Sequence, residues 1–335
     1  MLSKKIAIDL GTSTFRVFVK GEGIVVTEPC VVAVKRDSAR FVAFGNEVSE
    51  LLQRDPESVV VRFPLRDGTV LDIAATGAML RHFIDRVQGR QRIFKPEVMI
   101  CVPTGMTSRD RRAVTEAAIS AGARQAWLID EPMAAAMGAG LPVADKTGSA
   151  ICEIGGGTTE VAVIAESGTV AGRSIKVGGN RMDSAIAEFV RRKYSVDIDL
   201  QNAESAKIAV GSAVLIKQAL ITEVTGRDVA SGSPKTIEVQ TNDVIEAIDE
   251  SLRLIADALR EVVEETPRMM AADIRDRGVV LSGGGARLRG LDIYLATQTG
   301  IPARVADQPE TSVVRGTGLA LDNFEVLKRN QSYVR

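Results

Sequence analysis

Two carboxylates stand at matching places in the chain, each at the end of an apolar run and just before a turn rich in glycine and hydroxyls. Asp9 closes IAID and is followed by Gly11, Thr12, Ser13 and Thr14. Glu153 closes AICE and is followed by Gly155, Gly156, Gly157, Thr158 and Thr159. Turns of this kind let backbone N–H groups come close to a phosphate, where a side chain would block the approach. A third glycine turn, Gly283, Gly284 and Gly285, lies between a strand-like and a helix-like stretch. Any single turn serves a ligand-free hairpin equally well. Three of them, two carrying an acid at the same place, point to phosphate. Asp9 and Glu153 are expected to face each other, and two like charges repel unless a cation lies between them. Mg²⁺, which accepts a few carboxylates, waters and nucleotide phosphates, suits that place. None of the turns reads GxxxxGK[ST], so this is not a P-loop, and none has the GxGxxG spacing followed by an acid.

Other chemistries are poorly supplied. The single histidine, His82, lies off the apolar face formed by Leu80, Phe83, Ile84 and Val87, and is expected at the surface. One histidine cannot make a multi-histidine metal site. Cys30, Cys101 and Cys152 are odd in number, far apart and without a CxxC, and so are expected as buried thiols in a reducing compartment. Lys plus Arg is 42 against 43 Asp plus Glu, a net charge of −1, so there is no bulk drive toward nucleic acid. MLSKKIAIDL lacks the apolar stretch of a signal peptide, and no apolar run reaches the roughly 18 residues of a membrane span. The expected location is the cytoplasm.

The elements that must carry these residues follow from an internal repeat. IAIDLGTSTFRVFV at 6–19 aligns with AICEIGGGTTEVAV at 150–163, an offset of 144. Each copy is an apolar strand, an acid, a polar turn and an alternating strand, which is a hairpin with a tight tip. Two copies imply two similar halves. Between and after them, strands are expected at 31–34, 41–44, 97–102, 126–129 and 278–281. Helices are expected at 71–88, from Thr107 or Ser108 to about Ala121, at 131–138, 182–194, 203–220 and 242–264, and after SGGGARL. The alternation predicts an α/β protein with mostly parallel sheets. At roughly 150 residues per domain, 335 residues make about two.

The chain resembles the actin-like ATPase superfamily, and within it the bacterial MreB family of cell-shape proteins. IAIDLGTS, VRFPLRDGTVLD, ICVPTGMT, IDEPMAAAMGAGLPV, EIGGGTTEVAVI, KVGGNRMDSAI, AESAKIAVGSA, SPKTIEV and ETPRMMAADIRDRGVVLSGGGARLRGLD carry the resemblance over nearly the whole length. It implies an actin-like fold of two α/β halves, each with a smaller inserted subdomain, around a nucleotide cleft. The first half would be 1–147 with its insert at about 32–61, the second 148–335 with its insert at about 182–244. It also implies ATP (GTP is the alternative) with Mg²⁺, hydrolysis coupled to polymerisation, and filaments of paired protofilaments. The same resemblance implies a link to the wall-elongation machinery.

Roles carry over by position. Asp9 and Glu153 match the acids that hold Mg²⁺ through water. Gly11, Thr12, Ser13, Thr14, Gly155, Gly156, Gly157 and Thr158 match the phosphate loops. Glu131 matches the residue that positions the attacking water; with Asp9, Glu153 and Thr158 it would form the catalytic group. Glu204 and Lys207, three apart on one helix face, match the ribose and base side, and Gly283, Gly284, Gly285 and Arg287 the adenine-side turn. Without the resemblance, Glu131 reads as an ordinary acid in a first helical turn, Glu204 with Lys207 as a solvated ion pair, and the third glycine turn as a helix cap. Several positions depart from the family pattern. Glu153 replaces Asp, which shifts the carboxylate by more than about 1 Å. Ser13-Thr14 replaces Ala-Asn, Phe15-Arg16 replaces a polar-apolar pair, and Asp130 stands where Glu is common. Nucleotide binding with slow or altered hydrolysis is the expectation.

One loop suggests a membrane surface. QGRQRIFKPE sets Ile93 and Phe94 between Arg90, Arg92 and Lys95, in an exposed connection. The N-terminus is too short for an amphipathic anchor, so the loop is expected to serve at the inner face of the cytoplasmic membrane. Two inserted side chains contribute roughly 3–5 kcal/mol, and each basic residue about 1 kcal/mol. A filament would multiply such sites. The competing readings are packing of the pair onto the domain and, for the whole chain, a sugar kinase, a chaperone ATPase or a plasmid-segregating relative.

Overall fold

The computed structural model describes residues 3–89 and 94–324. The strands Lys5–Leu10 and Thr14–Val19 form the first hairpin, antiparallel, with Asp9 opposite Arg16. In TFRVFV the alternation is strict: Phe15, Val17 and Val19 are buried, while Thr14, Arg16 and Phe18 take the other face. Gly23–Pro29 adds a third antiparallel strand, and Glu97–Val102 and Gln125–Asp130 extend the sheet in parallel on the far side. The strand order is therefore 125–130, 97–102, 5–10, 14–19, 23–29.

The second half repeats this plan. Ser149–Ile154 pairs antiparallel with Thr159–Ala165, which pairs with Gly168–Ile175. Val279–Ser282 and Ala303–Val305 lie parallel on the other edge. The expected hairpin repeat is thus a repeat of whole five-stranded sheets. Glu153 faces Glu160 in register just as Asp9 faces Arg16, and Ser282 lies beside Glu153 as Cys101 lies beside Asp9.

Each sheet has its own core, and a third cluster joins them. Met99, Cys101 and Ile129 of one sheet meet Ile151, Ala162, Ile164 and Val280 of the other. The helices Glu131–Gly138 and Ser312–Asp322 lie in this joint. They approach closely because small residues face each other. A Cβ on Gly316 would sit 1.7 Å from the Ala134 carbonyl oxygen, and one on Gly138 1.8 Å from that of Ser312. Smaller sheets decorate each half. Phe41–Phe44, Val32–Lys35 and Val59–Arg62 pack with helix Asn46–Arg54 around Ala33, Ala43, Val48 and Val59. Val196–Asp197, Ile221–Asp228 and Pro234–Gln240 accompany helices Gly179–Tyr194 and Leu200–Val210.

Three expectations are corrected. The sheets are mixed rather than mostly parallel: in each five-stranded sheet the strands joined by tight turns pair antiparallel and only the two far-side pairings are parallel, and the smaller sheets are antiparallel throughout. The helix expected over 203–220 spans Leu200–Val210, with Asp199 capping its start. Gly211 turns to extended backbone, Ser212 bridges to Arg289, and a strand begins at Ile221. The apolar spacing of Val214 and Leu215 continued a helical pattern that Gly211 had already ended. His82 is not a free surface residue. Its ring stacks on Phe44 at 4.4 Å, because the small sheet of the first half folds over helix Ile73–Gln88. The three cysteines are free thiols and all are buried.

Candidate functional site

A cavity of about 550 Å³ opens where the two hairpin tips meet. Its wall includes Asp9, Gly11, Thr12, Ser13 and Thr14 from the first half. Glu153, Gly155, Gly156, Gly157 and Thr158 answer them from the second. Glu131, Glu204, Lys207, Gly283, Gly284, Gly285 and Arg287 also line it. All the residues that the sequence assigns to phosphate, metal, sugar or base therefore share one space.

The tips interlock. A Cβ on Gly156 would lie 2.1 Å from Ser13 Oγ, and one on Gly157 2.7 Å from Thr12 Oγ1. Ser13 Oγ donates to Asn180 Oδ1 at 3.1 Å, which ties the first tip to the start of helix Gly179–Tyr194. Gly283 has φ +83°, and a Cβ there would strike the Ile154 carbonyl and Glu153 Oε1 at 2.3 and 2.5 Å. A side chain on this third turn would close the cleft at the acid.

Buried acids crowd the closed end. Glu131 is the first residue of helix Glu131–Gly138, where Asp130 precedes it and Pro132 sets the helical φ. The carboxyls of Asp9 and Glu131 and the Cys101 thiol have donor atoms within 4.8 Å of one another. Burial pushes the Glu131 carboxyl well above the usual range, and the charges of Glu160, Glu153 and Asp9 add to it. Glu153 is raised for the same reasons. Asp9 is raised by burial, against the pull of the adjacent Arg16 guanidinium. Among the described residues Glu153 Oε2 is buried without a hydrogen-bond partner. Oxygen donors in a charge-crowded pocket with one orphaned carboxylate oxygen fit a hard divalent cation. Cys101 is a soft donor whose thiol burial keeps protonated, so the carboxylates Asp9 and Glu153, the latter with its orphaned oxygen, are the fitting pair.

The open end is built from ion pairs. Lys207 does not pair with Glu204; its Nζ reaches Asp183 Oδ1 at 2.7 Å and the Gly179 carbonyl at 3.1 Å. Glu204 stays exposed on the wall. Arg287 grips Glu310 with two bonds of 2.8 and 2.7 Å. Arg289 Nη1 donates to the Gly211 carbonyl at 3.0 Å.

Sequence reasoning missed Asn180, Asp183, Arg289, Glu310 and Glu160. The last is fully buried and accepts from Thr104 N and Oγ1 at 3.1 to 3.2 Å. Burial raises its carboxyl to about 7. Its signal was present: an acid on the second strand of a repeat whose first copy carries Arg16. Of the loop pair, Phe94 is 48% exposed and Ile93 lies outside the described residues. Among the described residues no helix is long and apolar enough to cross a membrane.

The sequence profile of the family described as MreB/Mbl protein matches residues 3–329. The chain belongs to the MreB/Mbl family. It is 44% identical over 331 residues to the cell shape-determining protein MreB of Escherichia coli K12, covering 97% of this chain and 95% of that protein. Against the cell shape-determining protein Mbl of Bacillus subtilis it is 40% identical, with 99% of each covered. Among solved structures, MreB5 of Spiroplasma citri bound to AMPPNP superposes with a TM-score of 0.91 at 30% identity, over 98% of both chains. A MamK double helical filament superposes with a TM-score of 0.80 at 19% identity, covering 96% of this chain and 99% of that one. The fold is actin-like, as the family resemblance implied.

Proposed function

We propose that this MreB/Mbl protein binds ATP with Mg²⁺ in the cleft and forms filaments whose assembly the nucleotide controls. One observation carries the reading: two homologous hairpin tips and a third glycine turn converge on one cavity whose closed end holds Asp9, Glu131 and Glu153. The nucleotide-bound MreB5 structures, at nearly the same fold, support it.

In this reading residues 11–14 and 155–158 cradle the phosphates through backbone N–H groups and hydroxyls. Asp9 and Glu153 would hold Mg²⁺ through water, where the ion would supply neutralisation of phosphate charge. Glu131 accepts a hydrogen bond from the attacking water and orients it. Glu204 and Lys207 stand at the sugar side; residues 283–285 with Arg287 bound the base. GTP is the alternative nucleotide.

The halves, about 1–147 and 148–335, would close on the nucleotide. Filament contacts follow from that closure, as paired protofilaments of one chain. The loop with Ile93 and Phe94 would rest on the inner face of the cytoplasmic membrane, where filaments would organise wall-elongation partners and rod shape. The shape-determining names of the relatives support this part. Glu131→Gln should bind nucleotide as the parent does and release phosphate at least about 100-fold more slowly. Phosphate release at the parental rate would rule out the role given to Glu131.

A further inference from the structure

The repeat that builds the cleft is broken at one telling position. The offset of 144 sets Arg16 on Glu160, and in register Arg16 faces Asp9 where Glu160 faces Glu153. One hairpin therefore carries an acid pair and the other an acid with a guanidinium. Because Phe15 and Val17 point into the core, Arg16 points to the opposite face and lines the cavity.

Its position there is only partly satisfied. Arg16 Nη1 donates to Asp9 Oδ2 at 3.2 Å, while Nε is buried without a partner among the described residues. A guanidinium has five N–H donors in a fixed fork that matches phosphate oxygens, and it stays charged at any working pH. The charge reaches beyond Asp9: it opposes, without reversing, the upward push that burial and the neighbouring acids give Glu153, and adds a little to the lowering of Glu310 that Arg287 dominates. The other cations on the wall are committed: Lys207 to Asp183, Arg287 to Glu310, Arg289 to a carbonyl.

We propose that Arg16 is a built-in counter-cation that binds the nucleotide phosphates directly, so that this chain holds a nucleoside di- or triphosphate without a divalent metal. This rests on the nucleotide reading above. Mg²⁺ then adds to binding only modestly, and Asp9, which is shared with Arg16, is a weaker partner for it than a free carboxylate.

The test compares a fluorescent ADP analogue in excess Mg²⁺ and in EDTA. For the full-length parent, Kd should differ by less than about threefold between the two. Arg16→Gln should bind in Mg²⁺ and weaken by about tenfold or more in EDTA, the loss of a charge-assisted bond to phosphate. Arg16→Lys, which keeps the charge, should fall between. Each ratio is taken within one protein, so a folding defect lowers the Mg²⁺ arm too and is not mistaken for the effect. A parent that loses the analogue in EDTA, or an Arg16→Gln ratio equal to the parent's, overturns the proposal and leaves the nucleotide reading standing. Failure of the parent to bind in either condition overturns both.

Discussion

Glu160 shows what a single side chain costs in this cleft. It is fully buried beside Glu153, with Thr104 and Ser174 as hydrogen-bond donors and Asp130 as a further negative charge nearby. Its carboxyl is raised from 4.5 to about 7, first by burial. Between those values the folded chain holds a proton that the unfolded chain has released, so stability falls as pH rises. The contribution is complete below pH 4.5 and gone above about 7. Its size is about 3 kcal/mol, at about 1.4 kcal/mol per pH unit. Metal- and nucleotide-free protein should therefore melt higher at pH 5 than at pH 7.5, and Glu160→Gln should flatten that slope. Equal slopes for parent and variant would contradict the assignment. The residues at the two hairpin tips that line the cavity were legible in the sequence because their types and spacing are tied to phosphate chemistry: an acid, then glycines and hydroxyls. Asp183 and Glu310 were not. Nothing local marks an acid as the partner of a lysine or arginine far along the chain, since the pairing exists only after Lys207 and Arg287 are placed by tertiary structure.

At the scale of elements, the joint between helices Glu131–Gly138 and Ser312–Asp322 decides how the cleft is held. The first helix begins with Glu131, so its placement is the placement of the carboxylate. Ala134 and Gly138 face Gly316 and Ser312 at backbone contact. Gly316→Ala puts a methyl into the Ala134 carbonyl and must push the helices apart. Overpacking of this kind costs about 1–3 kcal/mol. A drop in Tm on the order of 5 °C is expected, with nucleotide affinity reduced alongside. An unchanged Tm would show that the helices part freely. IDEPMAAAMGAG announced a small-residue helix, but not its partner. The strands and most helices were legible because period-two and helical spacings are local properties. The end of helix Leu200–Val210 was not, because Gly211 outweighed an apolar pattern that ran on past it. His82 was placed off its helix's apolar face, yet the Phe41–Phe44 strand covers it, a contact no helical wheel contains.

At the scale of the whole molecule, the two halves repeat one sheet plan around a shared cavity, and the Glu131–Gly138 and Ser312–Asp322 helices connect them. A ligand that touches Asp9 and Glu153 at once bridges the halves, so nucleotide binding and the relative set of the halves are linked. In the proposed function, a polymer of such units would sense the nucleotide through that set. This is the central claim, and a near-neutral chain with a net charge of −1 offers little long-range repulsion to oppose assembly. The proposed membrane contact belongs to the same scale, since one loop with an exposed Phe94 would attach weakly and an array of them strongly. The most direct measurement is negative-stain electron microscopy of the purified protein on an anionic lipid monolayer, with Mg-ATP and without nucleotide. The account predicts paired filaments lying on the lipid with Mg-ATP and few or none without nucleotide. Bound ATP with no filaments across salt and protein concentration would contradict it.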